Sequence, residues 1–145
     1  MDDRFDLDRF VAAQAGSYPT ALAELRRGRK VSHWMWWVFP QLAGLGHSPT
    51  ARAYAIRSAD EARMYLSHPL LGARLVEATA AVTAALGTAE AIMGPVDAMK
   101  LRSSMTLFEA VAEDPTPFTW ALARFYDGER DAATLRLLDP SPPRP

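Results

Sequence analysis

Between Lys30 and Ser48 the chain reads KVSHWMWWVFPQLAGLGHS, which places three of its four tryptophans (Trp34, Trp36, Trp37) and two of its three histidines (His33, His47) in one segment. Large aromatics at that density must be buried, and the wall that buries them has to come from much of the remaining chain. His33 to Val38 is apolar almost all round, as expected of a helical turn surrounded by protein. Pro40 cannot continue that turn, and Gly44-Leu45-Gly46 lets the backbone bend sharply. These glycines make no phosphate loop, because the G-x-x-x-x-G-K-[ST] pattern is missing.

The rest of the chain is long enough to supply the wall. Its 145 residues suit one domain with a single core, and 49% hydrophobic with 23% charged residues is the balance of a soluble globular protein. A net charge of −1 lacks the electrostatic footprint of non-specific nucleic-acid binding, so no nucleic-acid partner is expected. The absence of cysteine excludes disulfides, thiolate chemistry and Cys-ligated metal sites, and it fits a reducing compartment. MDDRFDLDRF at the start is acidic and has no apolar h-region, so it does not read as a signal peptide. No apolar run is long enough to cross a bilayer. A cytoplasmic location without a membrane partner follows as the expectation.

Helical periodicity accounts for the chain on both sides of the aromatic segment. Asp6 is placed to cap a helix presenting Leu7, Phe10, Val11 and Gln14. A second helix is expected from Tyr18 to Arg27, with Gly28 as its stop and the cations Arg26, Arg27, Arg29 and Lys30 near its negative end. The competing reading of those cations is an anion-binding patch. Ser48-Pro49 has the form of N-cap and N1, and Ser58 with Glu61 has capping-box spacing. Leu70 to Leu86 reads as the longest helix, closed by Gly87. Asp97 to Ala112, Pro117 to Tyr126 and Ala132 to Leu138 follow. No stretch alternates with period two. The sequence therefore predicts an all-α fold, a single compact helical domain over residues 1–139 packed around the aromatic segment, with 140–145 (PSPPRP) as a disordered tail.

Polar residues inside apolar arcs mark where a site can lie. On the helix beginning near Asp97, Leu101, Met105, Phe108 and Ala112 share one side, widened by Leu107 and Val111, while Arg102, Glu109 and Glu113 fall on the solvated side. Asp97, Lys100 and Ser104 fall within the apolar arc, where a charge needs a partner. Either Asp97 and Lys100 form an internal ion pair across their three-residue spacing, or Lys100 meets an anion in a pocket and Ser104 hydrogen-bonds it. A nucleophilic pairing of Lys100 with Ser103 or Ser104 would reverse the S-x-x-K order and lacks an oxyanion-hole motif. His33, His47 and His68 have no metal-ligand spacing, so no metal is expected and each reads as a partly buried imidazole. His33 has the strongest claim to function, since it can share the aromatic wall. Trp34 and Trp37, three apart, are expected to stack on one helix face, as core or as a platform for a flat ligand.

The strings HWMWWVFPQLAGLGHS, YAI at Tyr54, EARMYLSHPLLGARL from Glu61 and DAMKLRSSMTLFEA from Asp97 occur in this order. Together, and from FDLDRFVAAQ at Phe5 to DGERD ending at Asp131, they make the chain resemble a bacterial family catalogued as domain of unknown function 1810. Trp37 stands where that family often has phenylalanine. The resemblance implies a small, mostly helical fold and no particular activity. A calpastatin label sometimes attached to the family has no support in this composition, which is that of a packed domain rather than a disordered inhibitor.

Two kinds of function remain open. One is a pocket, enzymatic or not, for an anionic, partly aromatic small molecule of nucleotide-derivative type. Its candidate residues are His33, Gln41, Lys100 and Ser104, with Trp34 or Trp36 as the stacking wall. The other is a non-enzymatic interaction or structural module that docks a partner through exposed aromatics. A concave pocket beside Lys100 favours the first, and a flat exposed apolar patch the second.

Overall fold

A computed structural model describes residues 4–139. These residues form ten helices and no strand: α1 (Asp8–Ala15), α2 (Tyr18–Arg27), α3 (Met35–Val38), α4 (Pro49–Ala53), α5 (Ala59–Ser67), α6 (Leu71–Ala84), α7 (Ala89–Met93), α8 (Pro95–Val111), α9 (Thr116–Tyr126) and α10 (Ala132–Leu138). The expected tail lies outside the described residues. Among those residues no helix is long and apolar enough to cross a membrane.

The centre of the fold is α8, which packs against α5, α7, α9 and α10, while α6 lies against α2, α5 and α9. Leu101, Met105, Leu107 and Phe108 are buried in the core. A run of rings crosses the molecule from there. Phe108 sits 6.0 Å from Phe118 and 5.4 Å from Tyr65, and Tyr65 meets Phe10 edge-on at 5.1 Å. Contacts of this geometry add to what burial of the rings already contributes.

Local signals set several boundaries. Gly28 takes a left-handed φ of +76° after α2, and the Ser48 and Ser58 hydroxyls each accept a backbone N–H in the first turn of α4 and α5. Four expectations need correction. Asp6 does not cap α1; it turns the chain with φ of +51° and the helix starts at Asp8. The longest helix is α8 with 17 residues, not α6 with 14. It gains length because Pro95 supplies a pre-set N1 position. The α6 helix stops early because Ala85 is extended and the Arg124 guanidinium binds the carbonyls of Ala85 and Gly87. Thr88 caps the short α7, a helix that periodicity alone does not show. Glu109 is not solvated, since Thr119 and Arg130 both donate to its carboxylate.

One buried ion pair positions the loop that later forms part of the site. Glu61 is fully buried and accepts from Arg9 at 2.7 Å. The same guanidinium donates to the carbonyls of Phe5, Asp6, Ala53 and Ala55, joining α1 to the segment between α4 and α5. That segment holds the 41–43 loop through a two-bond bridge, Ile56 N–H to the Gln41 carbonyl and Ala43 N–H to the Ile56 carbonyl.

Candidate functional site

The site is built outward from Glu24, one turn before the end of α2. Its side chain points inward and is 2% exposed. The carboxylate accepts from Val31 N–H (2.8 Å), Ser32 N–H (2.9 Å), the Ser32 hydroxyl (2.6 Å) and the Trp34 indole N–H (3.0 Å). Burial pushes its pKa up, but these bonds, led by those from Ser32, outweigh it and hold the carboxyl at about 2. The chain from Val31 to Trp34 is thereby fixed against α2.

This fixed segment delivers Lys30. Its backbone N–H donates to the Ile92 carbonyl at 2.7 Å. Its ammonium donates to the Ser32 carbonyl at 2.7 Å, lies 2.9 Å from Asp97 Oδ2 and stands over the Trp34 ring. Asp97 occupies the first turn of α8, and Lys100 follows one turn later with its Nζ 3.7 Å from Asp97 Oδ1. At that distance Lys100 makes an ion contact but no hydrogen bond. Instead it rests 4.8 Å from the centroid of the Trp36 ring. Two ammonium groups thus share one carboxylate.

Lys100 stands where two clefts meet. The inner one, lined by Met35, Trp36, Phe39, Gln41, Tyr54 and Lys100, has room for about 10 Å³, the space of a single water. The outer groove, reached past Gln41, Gly46 and Lys100, is about 360 Å³, within the range of small-molecule sites. Leu45, Val96 and Met99 give it apolar surface, with Val96 and Met99 largely exposed; Arg102, Ser103 and the carboxylate of Asp131 add polar groups. Arg102 is held in place by the carbonyls of Glu129 and Arg130.

Of the sequence candidates, Trp36, Gln41 and Lys100 come together here. The others do not join them. Trp34 is 1% exposed and backs Lys30 rather than the groove. It does not stack on Trp37, because it is the N-cap of a four-residue helix and lies outside the helical spacing. Its ring packs near Phe39, while Trp37 packs on Trp36 and Tyr54 and donates to the Ser17 hydroxyl. His33 is exposed and lines neither cleft, and His47 is exposed as well. His68 is partly buried and caps α6, its Nδ1 accepting from Leu70 and Leu71 N–H. Ser104 is fully buried with its hydroxyl unpartnered, whereas Ser103 lines the groove and donates to the Met99 carbonyl. Asp97 pairs with Lys100, but its shorter contact is with Lys30, a residue that reads from sequence as part of a helix end. Among the described residues no group of three or more His, Cys, Asp or Glu is arranged to hold a metal.

Residues 4–138 match the family described as "Protein of unknown function (DUF1810)". The chain belongs to this family. It is also similar to a solved structure, the conserved hypothetical protein Rv1873 from Mycobacterium tuberculosis. The two share 52% identity and a TM-score of 0.92 over 94% of this chain and 98% of that one. No curated protein matches the chain. The solved relative shares the fold, and neither description names a chemistry.

Proposed function

We propose that this member of the DUF1810 family binds a small anionic, partly aromatic molecule, of nucleotide-derivative type, in the groove beside Lys100. The observation that carries the reading is Lys100 at the mouth of a groove of ligand size, with Arg102 also in its lining and with the nearest carboxylate, Asp97, held more closely by Lys30. Lys100 and Arg102 attract an anion there, while Asp131, the carboxylate in the same lining, accepts from Thr134 as the cap of α10. Leu45 and Met99 offer apolar surface for the body of the ligand. Trp36 becomes a stacking wall only if Lys100 leaves its face, since the ammonium now covers it. Gln41 borders both clefts and supplies an amide for orientation. The proposal assigns binding and no reaction. A cytoplasmic location belongs with it, supported by the cysteine-free composition.

The docking-module reading has one observation in its favour, and it lies elsewhere. The aromatics of α3 are buried or half-buried, but Trp120 on α9 is 65% exposed beside Val76 and Ala80 of α6.

Lys100→Met decides for or against the groove. Because Lys30 still neutralises Asp97, the variant should fold and melt close to wild type. Loss of a charge-assisted contact worth about 1.5–3 kcal/mol should weaken binding of adenosine monophosphate roughly ten- to a hundredfold, read by isothermal titration calorimetry. Wild type that does not bind the nucleotide, or a variant that binds it equally well, removes the reading.

A further inference from the structure

Lys30 and Lys100 compete for the same carboxylate, and the structure shows which one holds it. Lys30 is 7% exposed along its side chain and is fixed from several directions. Its main chain is tied to Ile92, its ammonium to the Ser32 carbonyl, and the Ser32 segment to Glu24. It reaches Asp97 Oδ2 at 2.9 Å with little freedom left to lose. Lys100 is 23% exposed, sits 3.7 Å from Oδ1 and has no hydrogen bond to the carboxylate.

We infer that Lys30 is a positioning residue for the anion site: by occupying Asp97 it keeps the Lys100 ammonium available to a ligand. The inference rests on the groove reading above. An anion entering the groove displaces only a long contact to Asp97 and a cation–π contact to Trp36. It does not have to break a hydrogen-bonded ion pair. Remove the Lys30 charge, and the Asp97 carboxylate has one cation left within reach. Lys100 then closes onto it through the three-residue helical spacing, and the ligand must compete with an internal carboxylate. Remove the Asp97 charge instead, and Lys100 loses the carboxylate it could close onto.

These two changes remove opposite partners of one contact and both should lower stability, yet they should move binding in opposite directions. Lys30→Met should weaken adenosine monophosphate binding about tenfold, and Lys30→Arg, which keeps a cation against Asp97, should restore most of it. Asp97→Asn should strengthen binding several-fold. A purely structural role for Lys30 would weaken binding in every destabilised variant alike. A crystal structure of ligand-free Lys30→Met should also show the Lys100 amine moved from the Trp36 face to hydrogen-bond distance of Asp97. Equal binding by Lys30→Met and wild type overturns the inference, as does unchanged or weaker binding by Asp97→Asn. Should Lys30→Met not fold, the direction of the Asp97→Asn effect decides alone. The two proposals fail separately. If wild type binds and Lys100→Met does not, but the Lys30 and Asp97 variants miss these directions, only the positioning role falls. If wild type does not bind, both fall.

Discussion

Gly72→Ala is expected to destabilise the protein by about 2–3 kcal/mol, although alanine is the better helix former. Gly72 lies in the first turn of α6, where helix propensity alone predicts a gain of roughly 1 kcal/mol for the change. The turn between α5 and α6 reverses that sign. A Cβ at residue 72 would stand 2.1 Å from the carbonyl oxygen of Leu66 and 2.9 Å from its carbon. Both atoms are main chain at the end of α5, so no side chain can swing aside. The two helices must separate, which disturbs the Gly72 N–H bond to the His68 carbonyl and the His68 imidazole cap. Overpacking of a rigid contact costs about 1–3 kcal/mol and sometimes more, so sterics outweigh propensity. Urea unfolding measures the difference. Gly16→Ala is the control, because a Cβ there meets nothing within 4 Å. If Gly72→Ala is as stable as wild type, the close approach of α5 and α6 is not what holds this corner.

What was legible in the sequence follows from the range of the interactions. Ser48, Ser58 and Gly28 act on backbone groups within four residues, and each helix end they mark is found where the local pattern puts it. The inward position of Lys100 and its contact with Asp97 also follow from spacing on a single helix. Partners brought from elsewhere in the chain were invisible. Lys30 reads as one of several cations closing α2, and only the fold carries it to Asp97. Glu109 reads as solvated because periodicity cannot foresee that the segment leading into α10 brings Arg130 beside it. Periodicity places Gly72 inside a helix without showing its close approach, since the backbone that requires its missing Cβ belongs to the preceding helix. Ser103 and Ser104 are neighbours that differ by about 100° around α8. That small rotation puts the first in the groove and the second in the core.

Glu24→Gln should cost about 2–4 kcal/mol at pH 7, and that cost should shrink in acid. The carboxylate accepts four hydrogen bonds and has no donor of its own. An amide of the same size presents an NH₂ group to neighbours that are themselves donors. At least one of them then loses its acceptor, and the Trp34 indole is buried away from bulk solvent. The pH dependence follows from the lowered pKa. Above the unfolded value of 4.5 the carboxylate is charged in both states and its contribution to stability is complete. As pH falls from 4.5 towards 2, the unfolded chain takes up the proton first and the contribution is lost. Glutamine has no such proton to gain. Chemical unfolding of both proteins should therefore show a wide gap at pH 7 and a much narrower one at pH 3. A gap that is absent at pH 7, or unchanged at pH 3, would mean that Glu24 does not hold the 31–34 segment as a charged acceptor. The consequence reaches the groove, because Ser32 lends its carbonyl to the Lys30 ammonium. On the inferred role of Lys30, a loosened Ser32 would let it withdraw from Asp97, and the carboxylate that stabilises this corner of the fold would then also help to keep Lys100 from closing onto Asp97.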